Sequence, residues 1–258
     1  MFKPNNDNHS GATHFVVLDC EFLKDLPLYE RYRRADPDPA RCRWPMKRVV
    51  SASVMALEVQ GSELTVTAFK SFSGASEDRL LVQLFAFLAE RPRHKLCTYG
   101  GVATDVPVLR VAAMEHGLKL PLQLRYSDRS RHVHLDLAIA MKGGEGDYAH
   151  MSEVATRLRV PCKLAGHAGS VPQLFSRGNF RAIEALSEVD IISTGFILAS
   201  YLGVQGEILS AKAAQLGIIR YVRPLRGRAR YAELLGNVAD RLRREINQEL
   251  NTWMARVA

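Results

Sequence analysis

The stretch HFVVLDCEF, residues 14–22, joins an apolar run to two carboxylates that are separated by a single residue. The run predicts a buried β-strand, and alternate residues of a strand lie on the same face, so Asp19 and Glu21 should point the same way. Two like charges held so close are costly to keep ionised unless a cation lies between them. Oxygen ligands favour Mg²⁺ or Mn²⁺ over Zn²⁺ as that cation. The stretch therefore predicts either a metal site at the end of a strand or a strand that runs out into a polar surface turn.

The composition predicts a globular protein that is neither exported nor membrane-bound. The chain has 258 residues, of which 47% are hydrophobic, which is enough to form a core. No apolar run approaches the roughly 18 residues of a membrane span, and residues 1–13 are too polar for a signal peptide. The four cysteines are scattered without a Cys-x-x-Cys spacing, which argues against a zinc site and against a disulfide framework. We therefore expect a cytoplasmic location.

Positive charge is concentrated in two parts of the chain. The formal net charge is +8, and its excess lies in residues 24–48 and in residues 220–258. A basic surface favours an anionic partner, and aromatic residues interleaved with arginines, as in the first segment, suit the stacking of single-stranded bases. The alternatives are a solvated basic surface and, for the tail, a surface that binds another protein. We take five residues as candidates for substrate binding: Arg33, Arg34, Trp44, Arg48 and Tyr99.

Apolar patterns of the strand and helix types follow one another along the chain. Besides the first strand, strands are predicted at residues 48–57, 63–69, 94–99 and 132–137. Helices are predicted at residues 76–91, 105–116, 150–159 and 180–202, with loops at residues 23–45 and between the last two helices. The second and third strands should form a hairpin across residues 60–62. This order predicts an α/β fold: a mixed sheet, made of an antiparallel meander plus parallel strands, flanked by helices and followed by a basic α-helical extension.

Three later acids stand where a carboxylate needs an explanation. Asp105 follows a predicted strand and the turn at Gly100 and Gly101, and it begins a helix. There it either belongs to a site or complements the helix dipole. Asp190 lies inside an otherwise apolar helix, and an acid among buried residues requires a partner. Asp136, at the end of a short strand, is either a further site acid or a helix cap.

The order of these acids along the chain resembles that of the DEDD superfamily of 3′–5′ exonucleases, which have a ribonuclease H-like fold. The sequence is most similar to the predicted exonucleases related to the proofreading exonuclease domain of family B DNA polymerases. The resemblance covers roughly residues 14–207. Its motifs are YGG at 99–101, DVPVLR at 105–110, HLDL at 134–137 and SEVD at 187–190. It implies a ribonuclease H-like exonuclease domain over residues 14–206 and a basic helical extension over residues 207–258.

By this resemblance, Asp19, Glu21, Asp105 and Asp190 would be catalytic acids that bind two Mg²⁺ or Mn²⁺ ions. Asp19 would bridge the ions, Glu21 and Asp190 would complete the site of the water-activating ion, and Asp105 would act on the second ion through water. Two such ions can activate water and neutralise a leaving 3′-oxygen. The implied function is hydrolysis of phosphodiester bonds at the single-stranded 3′ end of a nucleic acid, with DNA favoured over RNA.

Several residues depart from the motifs of that superfamily. Leu186 and Ala185 stand where the tyrosine-type and histidine-type members carry a general base, whose loss lowers rates by roughly 10²–10⁴-fold. Gly100 and Thr104 replace an Asn and a Phe of the second motif. These departures support an alternative hypothesis, in which the protein is a catalytically degenerate exonuclease that binds nucleic acid without cleaving it.

Overall fold

The computed structural model of the protein describes residues 12–36, 43–125, 133–142 and 148–257. Its first three strands form the predicted antiparallel meander: β1 (Thr13–Lys24), β2 (Lys47–Gln60) and β3 (Glu63–Ser73). Gly61 and Ser62 join β2 to β3 with positive φ angles of 55° and 68°. Two-residue hairpin turns require this left-handed backbone, so the predicted hairpin is confirmed.

Two further strands extend the sheet beside β1. These strands are β4 (Lys95–Thr98) and β5 (His134–Asp136). β4 pairs with β1 in parallel, and β5 pairs with β4 in parallel. Across the described residues the strand order is β3-β2-β1-β4-β5. The predicted mixed sheet is therefore confirmed, with β1 at its centre.

Helices cover both faces of the sheet, as predicted. One face packs on α2 (Glu77–Ala89), α3 (Asp105–Glu115) and α4 (Leu122–Arg125). The other face packs on α6 (Met151–Leu158) and α8 (Phe180–Val204), while α5 (Leu137–Lys142) directly follows β5. The alternation of β1 divides its apolar residues between the two layers, with Val16 on the α2 side and Val17 on the α8 side.

Two helices lie in segments for which loops were predicted. α1 (Leu26–Ala35) occupies part of the predicted 23–45 loop, of which residues 37–42 are outside the described ranges. Asp25 caps it by accepting a hydrogen bond from Leu28 N at 2.9 Å. None of its residues is buried, and the four prolines of the segment indicate a loop, although Pro27 lies in the first turn, where a helix tolerates proline. α7 (Val171–Ser176) is a second helix in a predicted loop, and its six residues are too few to show a period.

The predicted C-terminal helical extension forms α9 (Ala211–Leu225) and α10 (Arg230–Val257). Its apolar residues join the cluster on the α8 side of the sheet; examples are Leu216, Ile219, Tyr231 and Leu235. The extension is therefore packed on the sheet layer, although the division at residue 206 stays a sequence-based expectation. Within the described ranges, no helix combines the length and the apolar character that crossing a membrane requires.

Candidate active site

Three of the predicted site acids converge at one end of the sheet. Asp19 and Glu21 lie on β1, and Asp190 projects from α8, which crosses that end. One carboxylate oxygen from each lies within 4.8 Å of those of the other two. Glu21 and Asp190 are buried, and Asp19 is partly exposed. Residues far apart in the chain thus form one carboxylate cluster.

Close packing fixes α8 against the sheet and so places Asp190. Ser187 Oγ lies 2.8 Å from Ser53 Oγ on β2, inside the interface. One turn beyond Asp190, a Cβ atom on Gly195 would lie 2.4 Å from the Met55 side chain. The glycine leaves room for the end of the Met55 side chain, which packs between α8 and β2.

The fourth predicted acid, Asp105, contacts β1 from the other side of the cluster. Its Oδ1 accepts a hydrogen bond of 3.0 Å from Cys20 N, the amide between the first two acids. β4 pairs with β1 only over Phe15, Val16 and Val17, so among the described residues no strand partners β1 on that side at Cys20. Asp105 takes that place, and it holds the backbone that carries Asp19 and Glu21.

A tight glycine turn delivers Asp105 to this position. Gly100 has a φ of 72°, and a Cβ atom on Gly101 would lie 2.7 Å from the Thr98 side chain. Val106 N donates to Gly101 O at 2.9 Å, which closes the turn onto the first residues of α3. The turn therefore requires glycine at both positions, for backbone conformation and for space.

Asp136 stabilises this turn and does not join the cluster. It accepts hydrogen bonds from Gly100 N at 2.8 Å, from Val102 N at 2.9 Å and from Ala138 N at 3.0 Å. The last of these satisfies an amide in the first turn of α5. Of the two alternatives that the sequence left open, the structure supports the helix cap.

The burial and mutual proximity of these acids shift their pKa values. Burial raises the pKa of Asp19 well above its usual value, and the charges of Asp190, Asp105 and Glu21 raise it further. Burial and the Asp190 charge raise the pKa of Glu21 to about 8. Burial raises the pKa of Asp105 to about 7 and also raises that of Asp190. Ionising the whole cluster is costly without a cation, and a divalent ion is the usual remedy.

Lys163 places a positive charge in the cluster, and sequence reasoning assigned it no role. Its Nζ lies 2.5 Å from Asp190 Oδ2. The Lys163 backbone is left-handed, with a φ of 55°, in the loop that precedes α7. Asp190 Oδ1 is buried and has no hydrogen-bond partner in the described part of the chain. An orphaned carboxylate oxygen beside two further carboxylates fits the ligand set of Mg²⁺ or Mn²⁺.

The residue one turn before Asp190 is Leu186, so no tyrosine hydroxyl lies at that position. Leu186 is buried, and it lines a narrow crevice together with Glu21, Lys163 and Asp190. A leucine cannot exchange protons, so it can only pack and exclude water there. His150, which lies in the segment before α8, caps α6 by accepting from Ser152 N.

The predicted substrate-binding residues fall into two groups. Arg33 and Arg34 are exposed on α1, and Trp44 is partly exposed in a 3₁₀ turn. Arg48 instead forms an ion pair with the α1 cap, Asp25. Tyr99 donates to Ala149 O at 2.9 Å. In the first group, Arg34 Nε donates to Glu30 O at 3.3 Å within α1, and the second group is engaged with other parts of the protein.

Comparison with known proteins relates this arrangement to exonucleases. Residues 42–224 match the family described as predicted 3′–5′ exonucleases related to the exonuclease domain of PolB. No curated protein sequence matches the chain.

Three solved structures are similar to the chain at low identity. The family B DNA polymerase of the archaeon Pyrobaculum calidifontis has a TM-score of 0.51 and 18% identity, over 74% of this chain and 24% of the polymerase. A product-bound exonuclease I has a TM-score of 0.45 and 11% identity, over 74% of this chain and 43% of that chain. E. coli exonuclease I in complex with a dA16 oligonucleotide has a TM-score of 0.45 and 11% identity, over 74% and 41%. The match thus spans less than half of each of these longer proteins.

The sheet order and the similarity to the family B polymerase confirm the predicted ribonuclease H-like fold. The family match begins after β1, so it includes Asp105 and Asp190 but leaves Asp19 and Glu21 outside. Because it nevertheless covers well over half of the sequence, the chain belongs to the family of predicted 3′–5′ exonucleases related to the exonuclease domain of PolB.

Proposed function

We propose that this protein is a metal-dependent 3′–5′ exonuclease that hydrolyses phosphodiester bonds at single-stranded nucleic-acid ends, with DNA favoured over RNA. One observation carries the proposal: Asp19, Glu21 and Asp190 bring carboxylate oxygens within 4.8 Å of one another in a chain of an exonuclease family. A structural ion-pair network does not need three clustered acids, two of them buried, with a single lysine.

The donor set suits two Mg²⁺ or Mn²⁺ ions. Asp19, Glu21 and Asp190 would hold one ion, and Asp19 would hold the other, on which Asp105 would act through water. When bound, such ions supply an activated water and neutralise the charge of the leaving 3′-oxygen.

The chain's own residues set the conditions for this chemistry. Asp105 fixes the Cys20 amide, so the side chains on either side of it are held at a constant separation. Lys163 offsets part of the negative charge at Asp190. Leu186 keeps bulk water out of the crevice between them. Rigid placement of reacting groups is the main contribution that a protein makes to phosphoryl transfer.

We also propose a cytoplasmic location. Cys20, Cys97 and Cys162 carry free thiols. Burial raises the pKa of each of these thiols, which disfavours the reactive thiolate. Free thiols are typical of reducing compartments.

The test is the shortening of a 5′-labelled single-stranded oligonucleotide in MnCl₂ or MgCl₂. We expect a ladder of products that retain the label, complete inhibition by EDTA, and faster cleavage of DNA than of RNA of the same sequence. Asp19→Asn and Asp190→Asn should each lower the rate by about 10³-fold or more. Asp240→Asn, an exposed acid on α10, is the matched control and should leave the rate unchanged. Full activity in Asp19→Asn would refute the assignment of this site.

A second candidate function is binding without cleavage. It is favoured by Leu186, which leaves the crevice without a hydroxyl at the position where the tyrosine-type members have one. A degenerate exonuclease should bind single-stranded oligonucleotides with an affinity that falls steeply with salt, and should show no turnover with any metal. A cleavage rate that EDTA abolishes and Asp19→Asn removes would rule out this candidate.

A further inference from the structure

A cavity of about 1080 Å³ lies beside the carboxylate cluster. Its walls come from the N-terminal half of α8, from residues 164–166 and from the turn between α9 and α10. We propose that this cavity binds the single strand upstream of the scissile bond, with its arginines on the phosphates and its apolar wall on the bases. The inference rests on the proposed function and adds a substrate site to which the C-terminal extension contributes.

The cavity adjoins the site of chemistry. Ala165 and Gly166 line the cavity, and they also line the crevice that contains Glu21 and Asp190. A strand whose 3′ end lies at the acids can therefore continue across this loop into the cavity. The two sites share a wall, so the scissile end and the upstream nucleotides would be held by one continuous surface.

The charge of the lining suits a polyanion. Arginines outnumber acids: Arg181, Arg226, Arg228 and Arg230 face Glu184 and Glu188. Arg228 and Arg230 are exposed in the α9–α10 turn, and neither forms an ion pair within the described residues. Arginine binds phosphate through two parallel hydrogen bonds, and it retains its charge at any physiological pH.

The rest of the lining is apolar, which suits nucleic-acid bases and not phosphates alone. Leu164, Pro224, Leu225 and Leu234 contribute to this surface. Leu225 is 50% exposed and Leu234 is 36% exposed, so they present apolar surface without a partner from the described chain. Bases that are unstacked in a single strand bury their faces on such surfaces, and arginine planes stack on them as well.

A buried network makes this wall rigid. Glu188 on α8 accepts from Arg226 Nε at 2.7 Å, from Tyr231 Oη at 2.6 Å and from Ser71 Oγ on β3 at 2.5 Å. Glu188 and Tyr231 are buried. The α9–α10 turn is therefore tied to α8 and to the sheet, and it holds Arg228 and Arg230 in place before a ligand arrives. Such preorganisation lowers the entropy cost of binding.

The test compares the double variant Arg228→Ala/Arg230→Ala with the matched double variant Arg93→Ala/Arg244→Ala. Arg93 precedes β4, at the opposite end of the sheet from the acids, and Arg244 is an exposed residue of α10. Fluorescence anisotropy in EDTA measures the Kd of a labelled dT16 and a labelled dT4 across a range of salt concentrations. In parallel, Mn²⁺-dependent cleavage of dT4 reports on the catalytic site.

We expect the cavity variant to bind dT16 about 10-fold more weakly, while the control variant and the affinity for dT4 stay near wild type. The slope of log Kd against log salt for dT16 should decrease by about 1.4, the value for two lost phosphate contacts on a single strand. The Tm should be unchanged. An equal loss for both variants, or for both lengths, would overturn the cavity proposal. Absence of dT4 cleavage in the wild type would instead refute the proposed function. The anisotropy measurement would still test the cavity proposal, because binding in EDTA does not require cleavage.

Discussion

Lys163 Nζ lies 2.5 Å from Asp190 Oδ2, inside the cluster that also contains Asp19 and Glu21. The side chain of Lys163 is 25% exposed and that of Asp190 is 10% exposed, so the pair is largely screened from water. An ammonium at this position and a divalent cation would bind the same carboxylate. In the absence of metal the lysine therefore supplies some of the charge compensation that a metal would otherwise provide, and the two cations compete.

Lys163→Met tests this competition. Without metal, the variant leaves Asp190 unpaired, so it should lose about 2 kcal/mol of stability, between the values for surface and buried ion pairs. That loss corresponds to a decrease of about 4–8 °C in Tm for a chain of this size. Addition of MnCl₂ should raise the Tm of the variant by more than it raises the Tm of the wild type, because the competing ammonium is gone. Thermal unfolding in EDTA and in MnCl₂ measures both effects.

The control for this experiment is Lys119→Met, which removes an exposed lysine between α3 and α4. Its response to MnCl₂ should equal that of the wild type. A Mn²⁺-induced Tm increase that is unchanged or smaller in Lys163→Met would show that Lys163 does not compete with a bound cation.

The metal-free protein should become less stable as the pH rises from 5 to 8. The pKa of Glu21 is about 8 in the folded protein, above its ordinary value of 4.5, and Asp19, Asp105 and Asp190 shift in the same direction. Between pH 4.5 and about pH 8 the folded state binds more protons than the unfolded state. Stability is therefore greatest at low pH and is lost as the pH rises through the folded pKa. Tm values in EDTA at pH 5.5, 7 and 8.5 measure the slope.

Two further measurements, on a variant and in the presence of metal, separate this effect from general alkaline sensitivity. Asp19→Asn removes one of the repelling charges, so its Tm should fall less over the same pH range. Saturating Mg²⁺ should also flatten the slope, because the ion binds the ionised cluster. A wild-type Tm in EDTA that rises steadily with pH would contradict the prediction.

The sequence was sufficient to predict the sheet and two of the three acids of the cluster. Strand alternation placed Asp19 and Glu21 on one face, and the pattern around Gly61 indicated the hairpin. Both features depend on neighbours in the chain. Asp105 and Asp190 joined the hypothesis only through a family resemblance, since periodicity says nothing about which distant residues meet in space.

Tertiary contacts account for what sequence reasoning missed. α1 buries none of its residues, so no core contact marks it, and the prolines of its segment indicate a loop. Lys163 reaches Asp190 from a left-handed backbone in a loop, where no local pattern indicates the direction of a side chain. The partner of Glu188, Arg226, comes from the turn between the two helices of the C-terminal extension. An acid in an apolar helix signals that a partner exists, but only the fold identifies it.

Gly101→Ala should damage the turn that carries Asp105. A Cβ atom there would lie 2.7 Å from Thr98, which is itself buried and hydrogen-bonded to His134. Overpacking of this kind costs about 1–3 kcal/mol, so the Tm should fall by several degrees, and the nuclease rate should fall with it.

Gly217→Ala is the control, because no atom lies within 4 Å of its Cβ position on α9. It should be neutral or stabilising by up to about 1 kcal/mol. Equal Tm values for the two variants would refute the steric argument.

Leu186→Tyr tests whether the missing hydroxyl limits the rate. Leu186 lines the crevice beside Glu21 and Asp190, so a tyrosine there places a hydroxyl next to the cluster. General acid–base groups contribute roughly 10²–10⁴-fold, and an imperfectly placed one should still raise kcat by about 10-fold. Leu186→Phe has the same ring without the hydroxyl, and it should give no increase. Both variants overpack the contacts with Val50 and Ile183, so both should lose about 1–3 kcal/mol of stability.

The comparison of these two variants isolates the hydroxyl, because the cost of the ring cancels between them. Single-turnover cleavage of a 5′-labelled oligonucleotide in MnCl₂ measures the chemical step without product release. We expect Leu186→Tyr to cleave about 10-fold faster than Leu186→Phe. Such a difference would show that the carboxylate cluster is competent and lacks only a group that orients water. Equal rates in the two variants would mean that water orientation is already supplied by the acids themselves, and that Leu186 serves only to close the crevice.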